Sequence, residues 1–282
     1  MNHLQPLSNI FKQAYEITKQ EKVLWRYGLL LIFGNLINFF YSINTWDDLS
    51  NFLLILFLVC LLLLVYFRAK AGMILALRTL SEKKEVSFRR SFSTGGLFVV
   101  RLLWLTISVQ TLLFLSIIII ISPIAYLYSH DLIIRAVLLS ILGSLVLFPL
   151  LFVIWMLNIF GPLFIVIFNL SFMDSVKNSL NFIGQFWTKL LKAGLILTLI
   201  LLGGIITGAA LASPFVILAL ISYYKGGLIL SLLLFLFGSI VFLSTQAWLI
   251  VFQQASWFLL FNQLVKPQKL EEAKAVPQPE VI

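Results

Sequence analysis

The chain has little with which to perform polar chemistry. Of its 282 residues one is cysteine and two are histidine, and Asp and Glu together number 11. Cys60 lies inside an apolar run, with no partner for an intramolecular disulfide and no neighbours for a metal site, so its expected role is packing in a core or against lipid. His3 stands at the start of the chain and His130 in a short turn, and neither has a second ligand nearby. Charged residues make up 11% of the chain, against about 25% in soluble domains. So few charges cannot give a soluble sphere a polar surface.

What the sequence has instead is apolar length. Hydrophobic residues form 61% of it. Uncharged runs such as LLILFLVCLLLLVYF (53–67) and LLFLSIIIIISPIAYLY (112–128) approach the ~18–20 residues that cross a ~30 Å hydrocarbon layer as helix. They do not alternate polar with apolar, which excludes a transmembrane β-barrel. The expected fold is all-α and polytopic, with six transmembrane helices over 27–44, 52–69, 103–127, 134–158, 193–220 and 228–252. This membrane domain, 27–265, follows an amphipathic segment, 1–26, and precedes a polar, Pro-containing tail, 266–282, expected to be mostly disordered. No cleavable signal is expected, because the first apolar run starts near Tyr27 after a polar lead and no A-x-A-like site follows.

Short links follow spans one, three and five, and long ones follow spans two and four, which predicts three helical hairpins. Of the 20 Lys and Arg, 18 lie on the N-terminal segment, the long links and the C-terminal segment. The short links hold only Arg135 and Lys225, beside Asp47, Asp48 and Asp131. Positive-inside bias then places both termini in the cytoplasm. The net charge of +9 reads as topology plus attraction to anionic head groups, worth ~1 kcal/mol per well-placed basic residue, and needs no nucleic acid. Membrane lipids are the expected partners, with a protein partner left open.

The long links are patterned too. Leu7, Ile10, Phe11, Ala14 and Ile17 make one apolar stripe on a helix that lies in the interface. FRRSFSTGGLF and VKNSLNFIGQF predict similar interfacial helices, with Ser87 and Asp174 or Ser175 as N-caps. These two stretches also repeat each other. At an offset of 88, Ser91 matches Ser179, Gly96 matches Gly184 and Phe98 matches Phe186, while Arg89 matches Lys177 and Arg101 matches Lys189. Downstream, Ser122-Pro123 recurs as Ser213-Pro214, and GSLV (143–146) as GSIV (238–241). The first hairpin reads as a diverged copy in which Phe11, Lys12 and Ala14 mirror Phe88, Arg89 and Ser91. A unit with two spans gives successive copies the same orientation, a parallel repeat.

Each landmark has an expected job. Arg101 and Lys189 anchor their spans by snorkelling to head groups. Gly96 and Gly184 permit the bend from interfacial helix into span. Pro123 and Pro214 kink their spans. Gly204, Gly208 and Ala212 form a small-residue stripe for helix packing. Trp25, Trp104, Trp187 and Trp257 belong to an aromatic belt. All have structural explanations; the functional alternative is that the kinks splay the helices around a cavity.

Catalytic constellations are missing. No Asp, Glu or His falls inside a span, which disfavours proton relays, carboxylate ion sites and intramembrane proteases. Span serines such as Ser108, Ser116, Ser144 and Ser239 have no His or Lys within sequence reach. No phosphate-binding G-x-x-x-x-G-K-[ST] loop occurs, and no cofactor is expected. Asn35, Asn38, Gln110, Asn158, Gln246, Gln253 and Gln254 read as interhelical hydrogen-bonding groups, or as the polar lining of a lipid-like groove. The leading expectation is a membrane component that is not an enzyme and acts by packing, lipid contact or partner recruitment. The alternative is a transporter or flippase-like carrier for an amphiphilic or uncharged solute.

AYEITKQEKVLWRYGLLLIFG (14–34) and FMDSVKNSLNFIGQFWTKLL (172–191) resemble, respectively, the opening and the central segment of a bacterial and archaeal family. It is the integral-membrane family labelled after the membrane domain of glycerophosphoryl diester phosphodiesterase, and the resemblance covers about residues 11–265. It implies six spans, a bacterial or archaeal cytoplasmic membrane and no known activity. The phosphodiesterase chemistry belongs to a separate His- and Glu-rich barrel domain that these residues do not contain, so the resemblance does not imply it. Mitochondrial carriers also use three two-span repeats, but their P-x-[DE]-x-x-[RK] motif is absent: IAYLY follows Pro123 and FVILA follows Pro214.

Overall fold

A computed structural model describes residues 6–35, 49–130 and 132–265. The far half of the first expected span, the turn with Asp47 and Asp48, His3, Asn38, Asp131 and the polar tail lie outside the described residues. Every described element is helical: α1 Leu7–Gln20, α2 Lys22–Asn35, α3 Leu49–Ser81, α4 Phe88–Gly95, a 3-10 turn Gly96–Phe98, α5 Val99–Ser129, α6 Ile133–Phe168, α7 Phe172–Tyr224 and α8 Leu228–Val265. Among the described residues five helical stretches are long and apolar enough to cross a bilayer, namely those within Ile55–Ser81, Phe88–Ser129, Ile133–Phe168, Phe172–Tyr224 and Leu228–Val265. A lipid interior offers no water to unpaired backbone groups, so continuous helices of this length and composition make this a multi-pass membrane protein.

The helices overrun the apolar runs that announce them. α3 continues to Ser81 rather than 69, α6 to Phe168 rather than 158, and α8 to Val265 rather than 252. Hydropathy marks where lipid contact ends, whereas a helix continues as long as its backbone bonds and packing persist. These overrunning ends are also where burial concentrates. In α3 the buried residues run from Phe67 to Leu77, in α6 mainly from Ile154 to Val166, and in α8 mainly from Ala247 to Leu264. The opposite ends expose large apolar side chains such as Ile134, Phe148, Ile229 and Leu232. Lipid tails are as apolar as leucine, so only the ends that meet water gain from hiding apolar surface in a core.

The chain divides into two compact units. The first comprises Met1–Leu97 and Lys189–Ile282. Within it α2 packs on α3 and α8, α1 packs on α8, and α4 packs on α3. Backbones approach closely here: a Cβ on Gly28 would stand 2.5 Å from Ala247 O, and one on Gly72 would stand 2.8 Å from the Tyr27 ring. The second unit is Phe98–Thr188. There α5 and α6 pack as a hairpin, and the first segment of α7 seats Phe182 against Phe160 and Phe164, at centroid distances of 4.9 and 6.0 Å.

Three bends separate an amphipathic helix from the more apolar one that follows it. They fall at Glu21 (φ −92°, ψ 85°), Phe98 (φ −99°, ψ −7°) and Phe186 (φ −117°, ψ 17°). Phe98 and Phe186 stand 88 residues apart, the offset at which the two stretches align in sequence. Glu21 precedes Phe98 by the same 77 residues that separate Phe11 from Phe88. The expected glycine hinges are corrected by this geometry. Gly96 is right-handed helical (φ −58°), and a Cβ on Gly184 would meet nothing within 4 Å, so neither bend requires glycine. Proline does not mark the break either. α5 runs helically through Pro123, and the non-helical residue inside α7 is Phe186, far from Pro214.

Candidate functional site

Within each unit the residues of interest lie where an amphipathic helix meets the overrunning end of an apolar one. Each amphipathic helix buries small or short side chains at an i, i+4 spacing: Ala14 and Thr18 in α1, Ser91 and Gly95 in α4, Ser175 and Ser179 in α7. Ala14, Ser91 and Ser179 stand at successive sequence offsets of 77 and 88. Two residues before each stands an exposed basic one, Lys12, Arg89 and Lys177. Two residues turn a helix by about 200°, so the packing face and the basic face oppose each other.

Arginines close the helix ends. The last carbonyls of a helix have no partner within it and attract positive charge. Arg68 of α3 donates from Nε to Phe92 O of α4 at 2.8 Å, and its guanidinium lies 4.7 Å from the Phe92 ring centroid. This contact forces the backbones together, because a Cβ on Gly95 would stand 2.6 Å from Arg68 O and 2.8 Å from Gly72 N. Arg101 does the same for α6. Its Nη1 donates to Asn169 Oδ1 at 2.7 Å, with longer contacts to the Asn169 and Leu170 carbonyls. Asn169 is left-handed (φ 53°, ψ 35°), the conformation that ends a helix and that Asn adopts more readily than other residues with a side chain. Arg101 therefore has a protein acceptor and is half-buried, while Lys189 is exposed.

α7 opens with a cap that sequence reading placed differently. Ser171 accepts the Asp174 backbone N–H at 3.2 Å and donates to the Asp174 carboxylate at 2.6 Å, a reciprocal pair three residues apart. Ser175 is instead buried and donates to Gly161 O at 2.8 Å. Ser87 precedes α4 in extended conformation but makes no side-chain cap bond.

The remaining landmarks meet inside their hairpins. A Cβ on Gly143 would approach Ile120 Cγ2 at 2.8 Å and Ile124, which follows Pro123. One on Gly238 would approach Phe215, which follows Pro214, at 3.1 Å, and Ala212 O at 3.4 Å. Each GS glycine thus faces the Ser-Pro turn of the helix before it. Ser213 donates to Ala210 O at 2.9 Å, the carbonyl that Pro214 leaves without its usual donor. Gly204 faces Leu249 of α8 and Gly208 faces Thr245. Trp25, Trp104 and Trp187 are exposed, whereas Trp257 is buried, so the belt loses Trp257 to the core.

Polar atoms without partners are few. Ser179 Oγ and Gln246 Nε2 are buried with no hydrogen-bond partner among the described residues. His130 lies against the Tyr126 ring and bonds through Nδ1 to Tyr126 O, closing the end of α5. Cys60 is exposed on an apolar stretch. No group of three or more metal-ligating side chains occurs among the described residues. Sequence reading missed Arg68, Asn169, Gly95, Gly72 and Ser171 as working positions. The S-x-x-D pattern at Ser171 and the Asn at the end of a long helix were the available signals.

No protein-family model, curated protein or solved structure matches the chain.

Proposed function

We propose that this protein is a non-catalytic, lipid-contacting component of a bacterial or archaeal cytoplasmic membrane. In this reading the chain has six spans in three parallel-repeat hairpins, each led by an amphipathic helix on the cytoplasmic face, with both termini on that side. The resemblance of residues 11–265 to the six-span family labelled after the phosphodiesterase membrane domain agrees with this arrangement.

One observation carries the proposal. Bends at Glu21, Phe98 and Phe186 fall at one repeat register, and each follows a helix with a small buried residue on one face and a basic residue on the other. A helix of that kind, joined to a span, lies along head groups with its basic side chains on lipid phosphates. The charges inside the fold serve architecture: Arg68 and Arg101 close helix ends rather than activate a substrate.

The test is thermal unfolding of the protein in nanodiscs. Phosphatidylglycerol in place of half the phosphatidylcholine is expected to raise the midpoint, and high salt is expected to remove most of the gain. An unchanged midpoint contradicts lipid contact as the function. A second reading, a carrier for an uncharged amphiphile, draws on the buried Gln246 amide without a partner between α7 and α8. It predicts solute flux in proteoliposomes that Gln246→Leu abolishes.

A further inference from the structure

The arginines at the charged ends of the helices divide into two groups. Arg68 donates to Phe92 O and Arg101 to Asn169. Arg78 pairs with Glu82 at 3.4 Å. Lys84 also donates to Glu82 at 2.7 Å and holds that carboxyl below the ordinary carboxylate range. These three arginines have protein acceptors. Arg26, Arg89 and Arg90 have none among the described residues: each is exposed, and none makes an ion pair there.

One of the three lies against an aromatic ring, and the other two are its neighbours in sequence. The Arg26 guanidinium lies 5.8 Å from the centroid of the Phe88 ring, and Arg89 and Arg90 follow Phe88 in the chain. Tyr27, buried beside Arg26, donates to Phe88 O at 3.1 Å, and the Tyr27 and Phe88 rings touch at 4.8 Å. Phe88 in turn stacks on Phe92 at 5.5 Å, under Arg68. Arg26 therefore stands on a packed aromatic base, and Arg89 and Arg90 stand on the helix that carries Phe88 rather than on a loose loop. A guanidinium against a ring keeps its outer N–H groups free for a planar, bidentate acceptor.

We infer that Arg26, Arg89 and Arg90 form a binding site for the phosphodiester head group of an anionic glycerophospholipid. The inference rests on the lipid-contact reading above and narrows it to one place and one chemistry. Guanidinium charge with no acidic partner among the described residues attracts an anion, and arginine suits phosphate through paired N–H···O bonds. The surroundings select a lipid over a soluble phosphate. Leu97, just beyond α4, is 76% exposed, and Trp25 and Leu29 on α2 are exposed as well. Such side chains belong in the hydrocarbon and head-group layers, and they bring acyl chains alongside the arginines.

The test titrates the full chain in mild detergent with phosphatidylglycerol, with phosphatidylcholine, and with glycerol 1-phosphate, reading lipid retention by native mass spectrometry. Phosphatidylglycerol is expected to be retained preferentially, and R26Q/R89Q/R90Q to weaken that retention roughly tenfold or more. A control that removes equal charge elsewhere, K19Q/K192Q/K225Q, is expected to change it less than about threefold. If the triple arginine variant is unstable, R89Q/R90Q, which leaves Arg26 on its ring, is read in its place. Equal loss in the lysine control overturns the site but leaves general lipid contact standing. Equal retention of both lipids overturns both. Displacement of the lipid by stoichiometric glycerol 1-phosphate overturns the lipid assignment in favour of a soluble phosphate.

Discussion

Arg101, in the first turn of α5, donates from Nη1 to Asn169 Oδ1, just past the last turn of α6. The start of one long helix thus closes the end of the next, across a hairpin that the chain leaves and re-enters 68 residues later. A charge read from sequence as a lipid anchor has a partner within the protein. Arg101→Gln is expected to lower stability by about 1 kcal/mol, a charged hydrogen bond discounted for partial exposure. Lys189→Gln is expected to cost less than half of that. Thermal unfolding in zwitterionic detergent measures both, and equal effects would return Arg101 to a pure anchoring role.

Glycine tolerance follows packing rather than repetition. Gly95→Ala puts a methyl group against the α3 backbone, which has no flexible end to move aside, and is expected to cost about 2–3 kcal/mol. Gly96→Ala meets only the Arg68 side chain, nearest at 3.5 Å, and is expected to be near neutral. Gly184→Ala has open space and is expected to be neutral or stabilising by up to ~1 kcal/mol, through helix propensity. Limited proteolysis of the segment between α3 and α4 should report the first change as accelerated cleavage and leave the other two unaltered.

The Ser-Pro turn of α7 acts as one device. Ser213→Ala removes the donor on Ala210 O and is expected to destabilise by about 0.5–1 kcal/mol while Pro214 is present. With Pro214→Ala the backbone N–H returns, so the same serine change should cost almost nothing. A double-mutant cycle measures this coupling. Additive effects would mean that the Ser213 hydroxyl does not replace the missing donor.

Much of the helical framework was legible because lipid imposes a simple rule: long uncharged runs must be helices. The apolar stripe of α1 was equally plain, and Ile10 and Ala14 on it are buried. Helix ends were less legible. α6 and α8 continue past their apolar runs because tertiary contacts, such as Ser175 on Gly161, hold turns that hydropathy alone would release. Repeated residues pointed to important positions but not always to the right cause. Phe98 and Phe186 align in sequence and carry the non-helical angles, whereas the glycines two residues earlier have φ angles that any residue adopts. Gly95 and Arg68 escaped notice because their importance is a single close backbone crossing, which leaves no periodic trace.

The central proposal is that the basic amphipathic helices of this multi-pass membrane protein share the cytoplasmic face. Single cysteines in a Cys60→Ser background, probed on intact cells with a membrane-impermeant maleimide, test it most directly. Cysteine at His130 or Lys225, in the turns after α5 and α7, is predicted to label without lysis. Cysteine at Lys12, Arg89 or Lys177 is predicted to label only after the membrane is opened. Labelling of Arg89 and Lys177 positions from opposite sides, or of His130 and Lys225 only after lysis, would contradict the account.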